Sequence, residues 1–355
     1  MKNNIKLMVF LVARLLGLFV LARKLTAHKV RILCYHGGCL GDENRYNPKL
    51  FCSSAMLAAR MKWLRSSGFD IVTLDEAASR VRTPPDNRPA LTTAITFDDG
   101  WYSTASELVP VLGEMQIPST LYLCTSHYLE GAAVPSVAVR YMLWKSTLAS
   151  FELTGFGPGT DGHFDISSEA GRDDAANKIV STIVRSATSR ASVHAMLEQV
   201  AQCLAVPSST LALESRRFEY LNQAELLALP GQGCTIELHG HVHRYPAGQV
   251  DVFKQDLQMC SDVIMAAGLP KPRHYCYPSG NFDAAASPAL SSMDVASATT
   301  CLPGLVSQAD ATQSHFLPRF LDGEHISMLE FQAEMSGFYD IARRLLGKPH
   351  PLQPV

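Results

Sequence analysis

Ala94-Ile95-Thr96-Phe97-Asp98-Asp99-Gly100 decides how this chain is read. Four residues without charge form a run of strand type, and two adjacent carboxylates close it before a glycine. A second run, Thr235-Ile236-Glu237-Leu238, ends in the same way, in His239-Gly240-His241-Val242-His243. One carboxylate and two imidazoles make a facial metal site with positions left open for water and substrate. The remaining carboxylate is free to act as a base on that water. Each motif alone is weak, because paired acids are common in turns and caps and spaced histidines are common anywhere. Their placement after two buried strands gives them weight together.

Working outward, strand-like and helix-like segments alternate. Arg31 to Tyr35 reads as a strand, and Ser54 to Ser67 as a helix with Met56, Ala59 and Trp63 on one face and Gly68 as its stop. Asp70 to Leu74 reads as a short strand, with Asp75 capping the next helix. A helix around Thr104 to Met115, a strand Ser119 to Cys124, a helix Val252 to Ala267 and a strand His274 to Tyr277 follow. Repeated β-α units predict an α/β fold with a parallel sheet or barrel, its site at the C-terminal ends of the strands. Between the two motifs, Ala175 to Leu204 has helical spacing and Gly155-Phe156-Gly157-Pro158-Gly159 reads as a loop. The predicted organisation is an apolar, basic helix over 1–28, a barrel over 29–127 and 216–346, a mostly helical inserted cap over 128–215, and a tail over 347–355. Ser327 to Leu346 reads as one terminal helix.

With 355 residues, 47% hydrophobic and 18% charged, the chain can bury a full core and is too poor in charge for a disordered one. The net charge of −2 hides an asymmetry: the first 41 residues hold seven Lys/Arg and no acid. That pattern argues for contact with an anionic membrane surface, and against nucleic acid as a partner. Leu7 to Ala22 is nearly all apolar but is split by Arg14, which penalises both a signal peptide and a spanning helix. A helix lying on the membrane or packed along the barrel is the expectation. Nine cysteines without a CxxC pair favour a reducing, cytoplasmic location, peripheral on a membrane.

Thr-Phe-Asp-Asp-Gly followed by a His-Gly-x-x-His run resembles the polysaccharide deacetylases, the NodB-homology or carbohydrate esterase family four. The resemblance extends to Ile32-Leu33-Cys34-Tyr35-His36, Pro118-Ser119-Thr120-Leu121-Tyr122, Tyr277-Pro278-Ser279-Gly280 and Leu317-Pro318-Arg319. It is nearest to the branch associated with capsular and exopolysaccharide synthesis. It implies a distorted (β/α)7 barrel and a hydrolase that removes N-acetyl groups from the amino sugars of a polysaccharide or its lipid-linked precursor. O-deacetylation, or a silent glycan-binding member, are the rival expectations.

By the same resemblance, Asp99, His239 and His243 bind a divalent metal, zinc above all, and Asp98 is the general base. Tyr277, Ser279 and His36 would face substrate or the oxyanion, with a backbone N–H near Ser279 as donor. Two departures stand out. The family's Arg-Pro-Pro-Tyr-Gly motif is here Cys276-Tyr277-Pro278-Ser279-Gly280, so Arg319 is expected to supply the missing charge beside the base. The late histidine acid is also not evident; His315 is the expectation, with His325 as the other candidate. His241 is expected off the metal, since i and i+2 do not share a helical face.

Overall fold

The computed structural model describes residues 2–84 and 89–346. Seven parallel strands form the path of a curled sheet: β1 Arg31–Tyr35, β2 Thr92–Phe97, β3 Ser119–Leu123, β4 Cys234–Leu238, β5 His274–Cys276, β6 Ser297–Thr299 and β7 Phe320–Leu321, and a two-residue eighth strand, Asp70–Ile71, pairs with the start of β2 off that path. Their spatial order is β7-β1-β2-β3-β4-β5-β6. The last strand is split: Phe320 and Leu321 pair with Leu33 and Cys34 of β1, while Leu317, just before it, bridges Thr299 of β6. Those two contacts on one short segment close the sheet into a distorted (β/α)7 barrel.

The sequence explains the strands. β1 and β2 are buried at every position, as strands covered on both faces are, and four of the six residues of β2 are β-branched. One alternate set, including Ile32, Ala94, Tyr122, Cys276 and Leu317, forms a cluster inside the barrel. The other, including Leu33, Ile95, Leu121, Leu238 and Tyr275, packs under the surrounding helices. Register then aligns the strand ends, Tyr35 with Phe97, Phe97 with Leu121, and Leu123 with Leu238. Asp98 and His239 therefore leave the barrel at the same end.

Several local expectations need correction. In α3, Ser54–Ser66, the buried face is Leu57, Arg60, Met61 and Leu64, while Ala59 is exposed. The Met56, Ala59 and Trp63 face lies one step round the helix, because the barrel draws in the longer aliphatic stripe. The helix α4, Leu74–Arg82, is capped by Thr73, whose side chain accepts from the Glu76 N–H, and not by Asp75. The helix expected near Thr104 to Met115 starts as a π-turn over Thr104–Leu108 and continues as α5, Val109–Glu114. The terminal helix is two, α10 Met328–Met335 and α11 Phe338–Leu345, parted by Gly337 at φ 82°.

Residues 133–218 build a second core from α6 Pro135–Lys145, α7 Glu169–Ser186 and α8 Arg190–Cys203, with Leu143, Ile179, Ile183, Leu197 and Val200 at its centre. The glycine-rich knot is not a plain loop: it turns an antiparallel hairpin, Ser150–Leu153 with Gly162–Asp165, whose Phe151 and Phe164 rings stack at 5.1 Å. Arg217 ties this unit to the barrel, reaching Asp42 at 3.0 Å and Glu43, while the Tyr141 hydroxyl donates to Asp42.

The N-terminal segment forms α1, Lys2–Leu15, and α2, Leu18–Leu25, bent by 80° at Gly17. Phe10, Ala13 and Phe19 pack with Ala333, Leu329, Phe338 and Tyr339 of the last two helices, and Ala22 is buried beside them on α2. Among the described residues no single helix is long and apolar enough to cross a membrane. The expected tail over 347–355 lies outside the described residues.

Candidate metal centre

Both motifs sit on bent backbone immediately after their strands. The Asp98 N–H donates to the Tyr35 carbonyl at 2.9 Å, so Asp98 still belongs to the strand, and Asp99 then turns at φ 77°. Gly100 follows at φ 112°, and a Cβ there would lie 2.5 Å from Leu123. Only glycine fits this corner. The turn sends two successive carboxylates in different directions.

The second motif is not helical, contrary to the geometry assumed for His241. Gly240 has φ 78° and His243 φ 49°, and Asp256 of α9, Val250–Ala266, accepts from the His241 and Val242 N–H groups at 2.8 and 2.9 Å. A Cβ on Gly240 would meet that Asp256 carboxylate at 2.8 Å. The loop curls so that His243 folds back on His239, whereas His241 is turned away, its Nδ1 2.9 Å from the Thr125 hydroxyl.

Three donor atoms converge. Asp99 Oδ1 lies 3.4 Å from His239 Nε2 and 3.1 Å from His243 Nε2, and the two nitrogens are 3.2 Å apart. Their other atoms are committed elsewhere. His239 Nδ1–H donates to the Cys276 carbonyl at 2.9 Å, which leaves its Nε2 lone pair facing the centre. Trp101 Nε1–H donates to Asp99 Oδ2 at 2.9 Å, which leaves Oδ1 for the centre. A tetrahedral ion with bonds of ~2.0–2.1 Å needs neighbouring ligand atoms ~3.3–3.4 Å apart. The observed separations fit a small divalent cation. Burial opposes ionisation of Asp99, but the His243 and His239 imidazoles outweigh it and hold the carboxyl well below the usual range.

Asp98 is occupied differently. The Arg319 guanidinium, fully buried, donates to both carboxylate oxygens at 2.7 Å. Burial again pushes the acid up, and the guanidinium overrides it, so Asp98 stays ionised. The Cys34 and Cys276 thiols, pushed up by burial and so protonated, each lie 3.4 Å from Asp98 Oδ2. His36 Nε2 stands 4.0 Å from the same oxygen with its side chain open to solvent on one side. Two other groups of potential ligands, Cys34 with His36 and Asp98, and Asp98 with His239 and Cys276, share this carboxylate. Arg319 already fills it, so neither fits a cation. Asp99, His239 and His243 are the set that does.

Of the residues expected from sequence, Asp98, Asp99, His239, His243, Arg319 and His36 come together. His315 does not. It is buried at the N-terminal end of β6, with Nδ1 2.9 Å from the Ser287 hydroxyl and Nε2 2.8 Å from the Val295 carbonyl, and holds a loop there. His325 is also elsewhere, 3.1 Å from the Pro48 carbonyl. Tyr277 is buried, its ring packed with Tyr245, Tyr275, Phe282 and Phe316. That strand gives the site its Cys276 carbonyl and thiol rather than the tyrosine ring. Ser279 occupies the turn after β5 at φ 56°. Trp101, Asp256, Cys34 and Cys276 were missed. Trp101 and Asp256 had no local signature, and the two thiols read as small apolar residues in strands.

No family model matches the chain. The Bacillus subtilis protein YxkH, whose name ranks it with the polysaccharide deacetylases, is 28% identical over 137 residues, 37% of this chain and 46% of that protein. The chain thus matches about half the length of this curated relative. The Streptococcus pyogenes deacetylase PplD, solved in complex with acetate, superposes with a TM-score of 0.57 at 14% identity over 87% of this chain and 99% of that one. IcaB from Ammonifex degensii gives 0.53 at 15% identity over 87% and 97%. A de-N-acetylase from Aggregatibacter actinomycetemcomitans gives 0.52 at 14% identity over 86% and 99%.

Proposed function

We propose, for a chain that has the fold of solved polysaccharide deacetylases and is similar in sequence to one named protein of that kind, that it is a metal-dependent hydrolase removing N-acetyl groups from the amino sugars of a polysaccharide or of its lipid-linked precursor. The observation that carries this reading is the juxtaposition of two carboxylates with opposite duties: Asp99 aimed at two imidazoles, Asp98 locked beside them by a guanidinium.

Asp99, His239 and His243 would hold the cation, and zinc suits their nitrogen and oxygen donors and spacing best. Bound there, it would supply acidity to water and a Lewis-acid contact for the acetyl carbonyl oxygen. The protein's own groups do the rest. Asp98, fixed by Arg319, is placed to take the proton of the attacking water. Its low proton affinity restricts that transfer to a water much more acidic than bulk water, which ties its work to the neighbouring cluster. The backbone N–H at Ser279 is assigned to the developing oxyanion. His36, the imidazole facing Asp98, replaces His315 as the group that gives a proton to the departing amine.

Acetate release tests the reading, with N-acetylglucosamine oligomers and an acetylated exopolysaccharide as substrates. Metal-loaded protein should release acetate, and chelated protein and Asp98→Asn should not. Release from O-acetylated glycans alone would move the assignment to an esterase. No release from any substrate by protein carrying a full complement of metal would overturn it.

A further inference from the structure

The N-terminal helix pair carries a surface that the catalytic reading leaves unused. Of 21 exposed large apolar side chains among the described residues, 11 lie between Ile5 and Leu25. Met8, Leu15 and Leu16 are more than two-thirds exposed, and Val20, Leu21 and Leu25 about half. The opposite face of the pair is also apolar at Phe10, Ala13 and Phe19, which are buried against α10 and α11. A helix packed on a barrel and bathed in water would carry polar residues on its outer side. These two do not.

Charge on the same segment is of one sign. Arg14, Arg23 and Lys24 have no carboxylate partner among the described residues; Arg14 donates to the Gln332 side-chain amide and Arg23 to the Ser67 carbonyl. The two arginines border a cavity of about 240 Å³ whose other walls include Phe19, Val20 and Trp63. Cations beside an uncovered apolar face match an anionic lipid interface, where each basic group is worth ~1 kcal/mol. Shape decides how they meet it. The helices have 14 and 8 residues, about 21 and 12 Å at 1.5 Å per residue, and they diverge by 80°. Neither reaches across a hydrocarbon core of ~30 Å.

We infer that α1 and α2 form an in-plane anchor that seats the protein on an anionic bilayer, apolar side chains in the acyl boundary and Arg14, Arg23 and Lys24 at the phosphates. The topology gives this anchor a direction. α2 enters β1 at Arg31, and the Asp-His cluster lies beyond Tyr35 at the other end, five residues or roughly 16 Å away. The catalytic end is held off the lipid surface and takes glycan from the aqueous side.

Flotation of the full chain with vesicles tests this without any assay of activity. Binding to phosphatidylcholine mixed with phosphatidylglycerol, little binding to phosphatidylcholine alone, and weakening by salt are expected. Replacing Arg14, Arg23 and Lys24 by Gln should weaken binding roughly 100-fold. Leu16→Ser with Leu21→Ser, both at exposed positions, should weaken it at least about tenfold with the charges intact. Circular dichroism checks that both variants fold. Equal binding to both vesicle types, or to neither, overturns the inference. So does protein that resists alkaline extraction, which marks a spanning segment. Self-association through this face with no vesicle binding, or a mature protein from which residues 1–28 have been removed, overturns it as well.

Discussion

Arg319 reaches Asp98 across 221 residues of sequence and grips both of its oxygens from inside the barrel. The pair is fully buried, so removing one partner strands the other charge, at a cost of about 3–5 kcal/mol. Arg319→Ala should lower unfolding free energy by that amount. It should also raise the acid limb of the pH–rate profile, because burial alone pushes the Asp98 carboxyl up once the guanidinium is gone. Arg319→Lys, keeping charge but losing the fork, should fall between. Denaturant melts and the pH dependence of kcat/KM measure both effects, and an unmoved acid limb in Arg319→Ala would count against the role.

Asp98 and His243 should separate cleanly. His243 is partly open to solvent, so His243→Ala should fold and lose bound metal together with activity. Asp98→Asn should keep its metal and lose turnover. Metal content by mass spectrometry beside acetate release distinguishes them; loss of metal from Asp98→Asn would place that residue among the ligands instead.

Trp101 supports the centre through a single N–H. Trp101→Phe keeps the ring packing against Phe51 and Tyr220 and removes the donor to Asp99. Metal affinity should fall about 10–100-fold while the fold survives. Competition with a chelating dye reads this directly, and an unchanged affinity would show that the indole only packs.

Glu237 and His274 make a paired prediction about stability. Burial pushes the Glu237 carboxyl up to about 7, against the Arg273 and His274 N–H groups that pull it down. Burial pulls His274 down to about 4, opposed by Asp75. Between the ordinary carboxylate value and pH 7 the folded Glu237 holds a proton that the unfolded chain has lost, so its contribution falls as pH rises. His274 is the reverse: between pH 4 and its ordinary value the unfolded chain holds the extra proton, and stability rises with pH. The two slopes oppose each other over pH 4.5–6.5. Glu237→Gln should expose the rising slope and His274→Asn the falling one, each up to about 3 kcal/mol across its window. Chemical melts at pH 4.5 and 6.5 would show it; parallel behaviour in both variants would refute the coupling.

How much of this was legible in sequence depended on distance along the chain. The metal donors were readable because each lies within five residues of a strand end. Arg319 could be suspected, but its contact with Asp98 depends on a split last strand that local sequence does not encode. His315 was misplaced for a related reason. Only one residue separates it from Leu317, yet the chain there is still at the opposite end of β6, and nothing in its neighbours says which end. Cys34 and Cys276 read as apolar strand residues, and only the fold brings them against Asp98 and, for Cys276, Arg319. The Gly155–Gly159 stretch shows the limit of composition: the same glycines that suggest a slack linker serve a hairpin at positive φ.

The split strand also dictates an order of assembly. Residues 317–321 complete the pairing of both β6 and β1, and they bring Arg319 with them. Until that segment has left the ribosome, the nascent sheet has two bare edges and a carboxylate without its counter-ion. The barrel therefore cannot mature strand by strand: its closure and the arming of its base are one late event, set by the most non-local contact in the sheet.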